Sequence, residues 1–228
     1  MTIPNDPHQN CQVHFAGSPL TEARLVVLAA HGRYGVSGDI LKLAERVNVP
    51  NVAWVAPQAR DRSWWGESFL APLAMNEPGI GSAMKRFSAI ADDLAQTGFG
   101  PEKIILVGFS QGACLILEHV ARHPKPWLGV VAMSGGLLGT SESDESPRDT
   151  LNGHVPKYFE YGTRLTGLPI HLGCHTDDPV IPIARVRKSK TVLKDLGANV
   201  TLCEDQGCTH GIISDDIAAI TELAQNAV

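Results

Sequence analysis

Stretches of uninterrupted apolar, β-branched residues alternate with stretches of helical periodicity along almost the whole chain. Leu25-Val26-Val27-Leu28-Ala29-Ala30 precedes a segment with Ile40, Leu43, Ala44 and Val47 at helical spacing, and Val52-Ala53-Trp54-Val55-Ala56 leads through a long loop to Ile80, Met84, Phe87, Ala91 and Leu94. Lys103-Ile104-Ile105-Leu106-Val107 precedes Ala113, Ile116, Leu117 and Val120. Further runs follow at Val130-Val131-Ala132-Met133, Ile170-His171-Leu172-Gly173 and Val200-Thr201-Leu202-Cys203, with helical patterns at Ile183, Val186 and Leu193 and at Ile217, Ile220 and Ala224. A strand apolar at every position must be covered on both faces, and only a parallel sheet with helices on both sides provides that. Gln12-Val13-His14-Phe15-Ala16 alternates polar with apolar and predicts an antiparallel edge strand. Ser214 is the expected N-cap of the last helix, with Asp215 and Asp216 in its first turn. No internal repeat appears, and one domain over 1–228 is expected.

A net charge of -5 argues against a nucleic-acid partner. No apolar run has the length of a membrane span, and the first residues lack the pattern of a secretion signal. Cys11, Cys114, Cys174, Cys203 and Cys208 form an odd set without framework spacing, which predicts reduced thiols and a cytoplasmic protein. Cys203, Cys208 and His210 match no zinc spacing, so no metal is expected. The polar stretch 135–168 is either a functional loop or a disordered surface insertion.

Gly108-Phe109-Ser110-Gln111-Gly112 lies between the third apolar run, Lys103 to Val107, and its helix. In that setting a Gly-x-Ser-x-Gly forms a sharp turn that exposes the serine oxygen above the sheet, beside a helix N-terminus. A serine hydroxyl needs a base to take its proton and a third group to hold that base. Loops beyond later strands supply both in the chain order Ser, Asp, His. Asp178 and Asp177 compete for the acid; Asp178 precedes a proline, which fixes its backbone, and is favoured. His210 follows the last strand and is the expected base, whereas His119 and His123 are expected on the solvent side of the helix after Ser110, and His175 follows the wrong strand. The backbone amides of Gln111 and of Arg33, in Ala30-His31-Gly32-Arg33-Tyr34-Gly35, are the expected oxyanion donors. Trp64 and Trp65 either cover the core or wall an apolar cleft; their loop leaves a strand end on the serine's side, so a cleft wall is expected.

These residues resemble the carboxylesterase/phospholipase family of α/β-hydrolases that includes the acyl-protein thioesterases. The resemblance runs from about Leu25 onward and rests on His31-Gly32, Ala56-Pro57 followed by Trp64-Trp65, the Gly108–Gly112 motif, Asp178-Pro179-Val180-Ile181-Pro182 and His210. It implies an α/β-hydrolase fold without a large lid and without cofactor, cleaving small-molecule oxygen or sulfur esters of modest acyl groups. Substrate contacts are expected at Trp64, Trp65, Phe69 and Tyr34, and a homodimer stays open. A lactone hydrolase of the dienelactone-hydrolase kind, which uses cysteine in place of Ser110, and a non-catalytic receptor on the same scaffold are the alternatives. The chain departs from the family pattern His-Gly-x-Gly at Tyr34, which sets Arg33 and Tyr34 beside the serine and offers Arg33 to an anionic part of a substrate.

Overall fold

The computed structural model describes residues 6–139 and 159–227. Most of the polar stretch noted above, 140–158, lies outside the described residues. Strands β1 (Val13–Gly17), β2 (Leu25–Ala30), β3 (Val52–Pro57), β4 (Ile104–Phe109), β5 (Gly129–Met133), β6 (Pro169–His175) and β7 (Asn199–Asp205) form one sheet in the order β1-β3-β2-β4-β5-β6-β7. Only β1 runs antiparallel, with Phe15 opposite Val55 on β3, as its alternating pattern predicts. The helices are α1 (Ser37–Leu41), α2 (Leu43–Val47), α3 (Gly79–Gln96), α4 (Gln111–Arg122), α5 (Ile183–Asp195) and α6 (Ser214–Asn226). No described helix is long and apolar enough to cross a membrane.

The pleat divides each buried strand between two cores. Val26, Leu28, Ile104 and Leu106 face a core shared with α3, α4 and α5. Leu25, Val27, Ile105 and Val107 face a core shared with α1, α2 and α6. This is the α/β-hydrolase architecture, and no large lid domain stands among the described residues.

Three local expectations differ from the structure. The helix after β2 is broken into α1 and α2 at Lys42, and Asn48 ends it in the left-handed conformation with φ 48°. Helix α6 begins one residue earlier than the polar cap suggested: Ile213 is the N-cap, and Asp216 accepts its N–H at 3.0 Å. The other oxygen of Asp216 accepts from Nε2 of His171 on β6 at 2.9 Å, so one buried carboxylate both caps α6 and ties it to the sheet. Gly173 leaves room for that carboxylate, since a Cβ there would stand 2.7 Å from its Cγ.

The third difference is His119. Helix α4 is buried on every side from Gln111 to Ala121, because it sits against the sheet and is covered in turn by α3 and the segment around Trp127. His119 therefore lies not toward solvent but against Phe87 and Trp127, with its Nδ1 unpartnered among the described residues. His123 alone is exposed, as expected. Burial lowers the pKa of His119 to about 3. Between its ordinary value near 6.5 and about 3 the unfolded chain binds a proton that the folded chain refuses, so stability falls as pH drops through that window. His119→Leu is expected to flatten the acid limb of urea-midpoint against pH, by at most about 1.4 kcal/mol per pH unit. A limb unchanged in the variant would place the acid sensitivity elsewhere.

Candidate active site

Ser110 follows β4 at the carboxyl edge of the sheet, with φ 54° and ψ -119°. A non-glycine residue held there costs about 1–3 kcal/mol, which the surrounding packing must supply. Gly108 and Gly112 allow the turn. A Cβ on Gly108 would stand 2.6 Å from the carbonyl carbon of Gly112, and one on Gly112 would stand 2.6 Å from that of Ala30 on β2. The Ser110 amide donates to Met133 on β5 at 2.9 Å, and its carbonyl accepts from Cys114 at 3.0 Å.

The structure brings Ser110, Asp178 and His210 together. The Ser110 hydroxyl lies 2.7 Å from His210 Nε2. His210 Nδ1 lies 2.8 Å from Asp178 Oδ2 and 3.1 Å from Oδ1. A carboxylate can only accept, so Nδ1 carries the proton and Nε2 is left to receive one from Ser110. The Asp178 side chain is fully buried, and the amides of Val180 (2.8 Å) and Ile181 (2.9 Å) donate to its Oδ1. The rival Asp177 points to solvent and touches Thr176 instead. The His210 ring lies 5.0 Å, centroid to centroid, from Phe109.

Residues outside the sequence motifs hold the His210 loop. Ser134, just beyond β5 with φ 48°, is fully buried and donates to the Gly211 carbonyl at 2.8 Å. His175 packs below the same loop, where a Cβ on Gly207 would meet its ring at 2.7 Å. Neither contact has a local sequence signal, because each joins elements far apart in the chain.

The loop after β2 presses against the serine: a Cβ on Gly32 would stand 3.3 Å from that of Ser110. Among the described residues the amides of Arg33 and Gln111 meet no protein acceptor. His31 organises this loop from beneath. Burial lowers its pKa, so the ring is neutral; Nδ1–H donates to the Gly32 carbonyl at 2.7 Å and Nε2 accepts the Ala59 amide at 3.0 Å. Tyr34 adopts φ 62°, the left-handed region where glycine is at ease, which explains what a glycine in the family pattern supplies. Reciprocal bonds hold it there, since Tyr34 N–H donates to Arg62 at 2.7 Å and the Arg62 guanidinium donates to the Tyr34 carbonyl.

Ser110 and Gln111 open onto a cavity of about 210 Å³ whose apolar wall includes Trp65, Phe69, Val180 and Ile181. The two tryptophans part company here. Trp65 lines the cavity, whereas Trp64, expected beside it, is wholly buried, meets Phe87 edge to face and His31 at a tilt, and donates to the His31 carbonyl at 2.8 Å. The Gln111 side chain locks the pair, accepting the Trp64 amide and donating to the Trp65 carbonyl, each at 2.9 Å. Tyr34 stands 66% exposed and off the cavity lining, contrary to the expected substrate contact. Sequence reading did not single out Glu67, Ser68 or Cys114, which also line it. Burial pushes the Cys114 thiol up to about 12, so it stays protonated beside the serine. Among the described residues no group of three or more His, Cys, Asp or Glu side chains is placed to hold a metal.

Sheet order, elbow and hydrogen-bonded side chains together define an α/β-hydrolase. The profile of the Phospholipase/Carboxylesterase family matches residues 13–226, and the chain belongs to that family. A phospholipase/carboxylesterase structure from Dyadobacter fermentans is 29% identical, with TM-score 0.81 over 95% of this chain and 97% of its own. Acyl-protein thioesterase 1 of Kluyveromyces lactis is 33% identical over 95 residues, 42% of each chain. Esterase YpfH of Escherichia coli is 31% identical over 117 residues, 51% of this chain and 42% of its own. The chain spans about half the length of the curated relatives it matches.

Proposed function

We propose that this protein is a serine hydrolase that cleaves carboxylic esters or thioesters of small to medium acyl groups through an acyl-enzyme. The observation that carries the reading is the continuous chain from Ser110 through His210 to Asp178, with contacts of 2.7 and 2.8 Å. Ser110 Oγ attacks the carbonyl carbon while its proton passes to His210 Nε2. Asp178 holds Nδ1–H and stabilises the imidazolium that forms. Negative charge on the tetrahedral oxygen falls between the amides of Gln111 and Arg33. Collapse expels the alcohol or thiol, which takes the proton from His210, and water then repeats the sequence on the acyl-enzyme.

The cavity of about 210 Å³ beside Ser110 suits a compact acyl group. With Trp65 and Phe69 on its wall, it is the binding site of this reading; Trp64 acts through packing. Five free thiols fit a reducing compartment, and we place the enzyme in the cytoplasm. A graded series of acyl esters and matched thioesters tests the substrate range. Turnover is expected to peak at short to medium acyl chains and to fall for long ones. A peak at long chains would contradict the size reading.

A further inference from the structure

Arg33 brings a positive charge to the cavity beside Ser110, and no carboxylate pairs with it among the described residues. One end of its guanidinium donates to the Gly66 carbonyl, and the group lies 5.2 Å from the Tyr34 ring centroid. The side chain is exposed, and the remaining N–H donors of the fork meet no protein acceptor among the described residues. Arg62 is placed in the same way: it donates to the Tyr34 carbonyl and likewise forms no ion pair among the described residues. Two arginines without an ion pair among the described residues therefore contact Tyr34, and of the two only Arg33 lines the cavity, in a chain whose net charge is -5. The one acidic side chain on the cavity lining, Glu67, is exposed and makes no ion pair among the described residues.

A neutral acyl chain seated in this cavity offers no acceptor to the Arg33 fork, whose remaining N–H donors stay with water on this exposed side chain. A carboxylate would instead accept from the planar donors left free beside the Gly66 contact. We propose that the substrate carries an anionic oxygen group, a carboxylate in the acyl part or in the leaving group, and that Arg33 binds it, with Arg62 adding to the local field. The assignment rests on the serine-hydrolase reading. The backbone of Arg33 serves the oxyanion in that reading, so charge recognition and an oxyanion donor sit on one residue.

The test compares kcat/KM for two matched pairs, in wild type, Arg33→Gln, Arg62→Gln and Glu67→Gln. Ethyl butyrate against monoethyl succinate places the charge in the acyl part; propyl acetate against O-acetylglycolate places it in the leaving group. In at least one pair Arg33→Gln is expected to lower the charged-to-neutral ratio about tenfold, Arg62→Gln less, and Glu67→Gln to raise it. Added salt should reduce the wild-type preference. An Arg33→Gln ratio equal to wild type in both pairs, with neutral esters still hydrolysed, overturns the Arg33 assignment alone. Failure of wild type to cleave any ester, without covalent labelling of Ser110, overturns the hydrolase reading itself.

Discussion

Ser110→Ala is expected to lower kcat by on the order of 10⁴-fold or more, with the melting temperature close to that of wild type. The folded chain loses one oxygen that lies 2.7 Å from His210 Nε2, and alanine meets the same backbone constraint at φ 54° as serine does. What survives is the contribution of the amides at Gln111 and Arg33 and of binding in the cavity. In the proposed mechanism the three side chains act as one unit, so His210→Ala should cost a similar factor, and Ser110→Ala with His210→Ala little more than either alone. Losses that multiplied in the double variant would mean that Ser110 and His210 act separately.

Gly112→Ala is expected to carry the largest stability cost of any single methyl addition near the site, about 3 kcal/mol. The new Cβ would stand 2.6 Å from the Ala30 carbonyl carbon and 2.7 Å from the His31 oxygen. Both belong to backbone, in β2 and the loop that leaves it, so no rotamer change relieves the clash. Relief requires α4 to lift from the sheet, and its first residues carry the Gln111 amide and position Ser110. Activity and urea midpoint should therefore fall together. Gly38→Ala is the control, because a Cβ there meets nothing within 4 Å and alanine favours the helix α1 by up to about 1 kcal/mol. Equal midpoints for the two variants would contradict the packing account of the elbow.

The features legible in the sequence are those encoded over a few residues. Fully apolar runs announced β2 to β5, the alternation at Val13 to Ala16 announced the antiparallel edge, and the order of Ser110, Asp178 and His210 announced their meeting point. What escaped depends on neighbours distant in the chain. A helical stripe names the face turned to the sheet but not the second cover laid over α4, so His119 read as exposed. Trp64 and Trp65 are adjacent and alike in composition, and only the hydrogen bonds from Gln111 and to His31 decide which is core and which is wall. The polar cap at Ser214 was outranked by Asp216, whose pull comes from His171 on β6. Ser134 and His175 meet the His210 loop from the ends of β5 and β6, far from it in the chain.

Covalent labelling by a fluorophosphonate, followed by peptide mass mapping, tests the central claim most directly. A single adduct on Ser110 is expected in wild type, none in Ser110→Ala, and a strongly slowed one in His210→Ala. An adduct on another residue, or labelling of Ser110 at an unchanged rate without the imidazole, would contradict it.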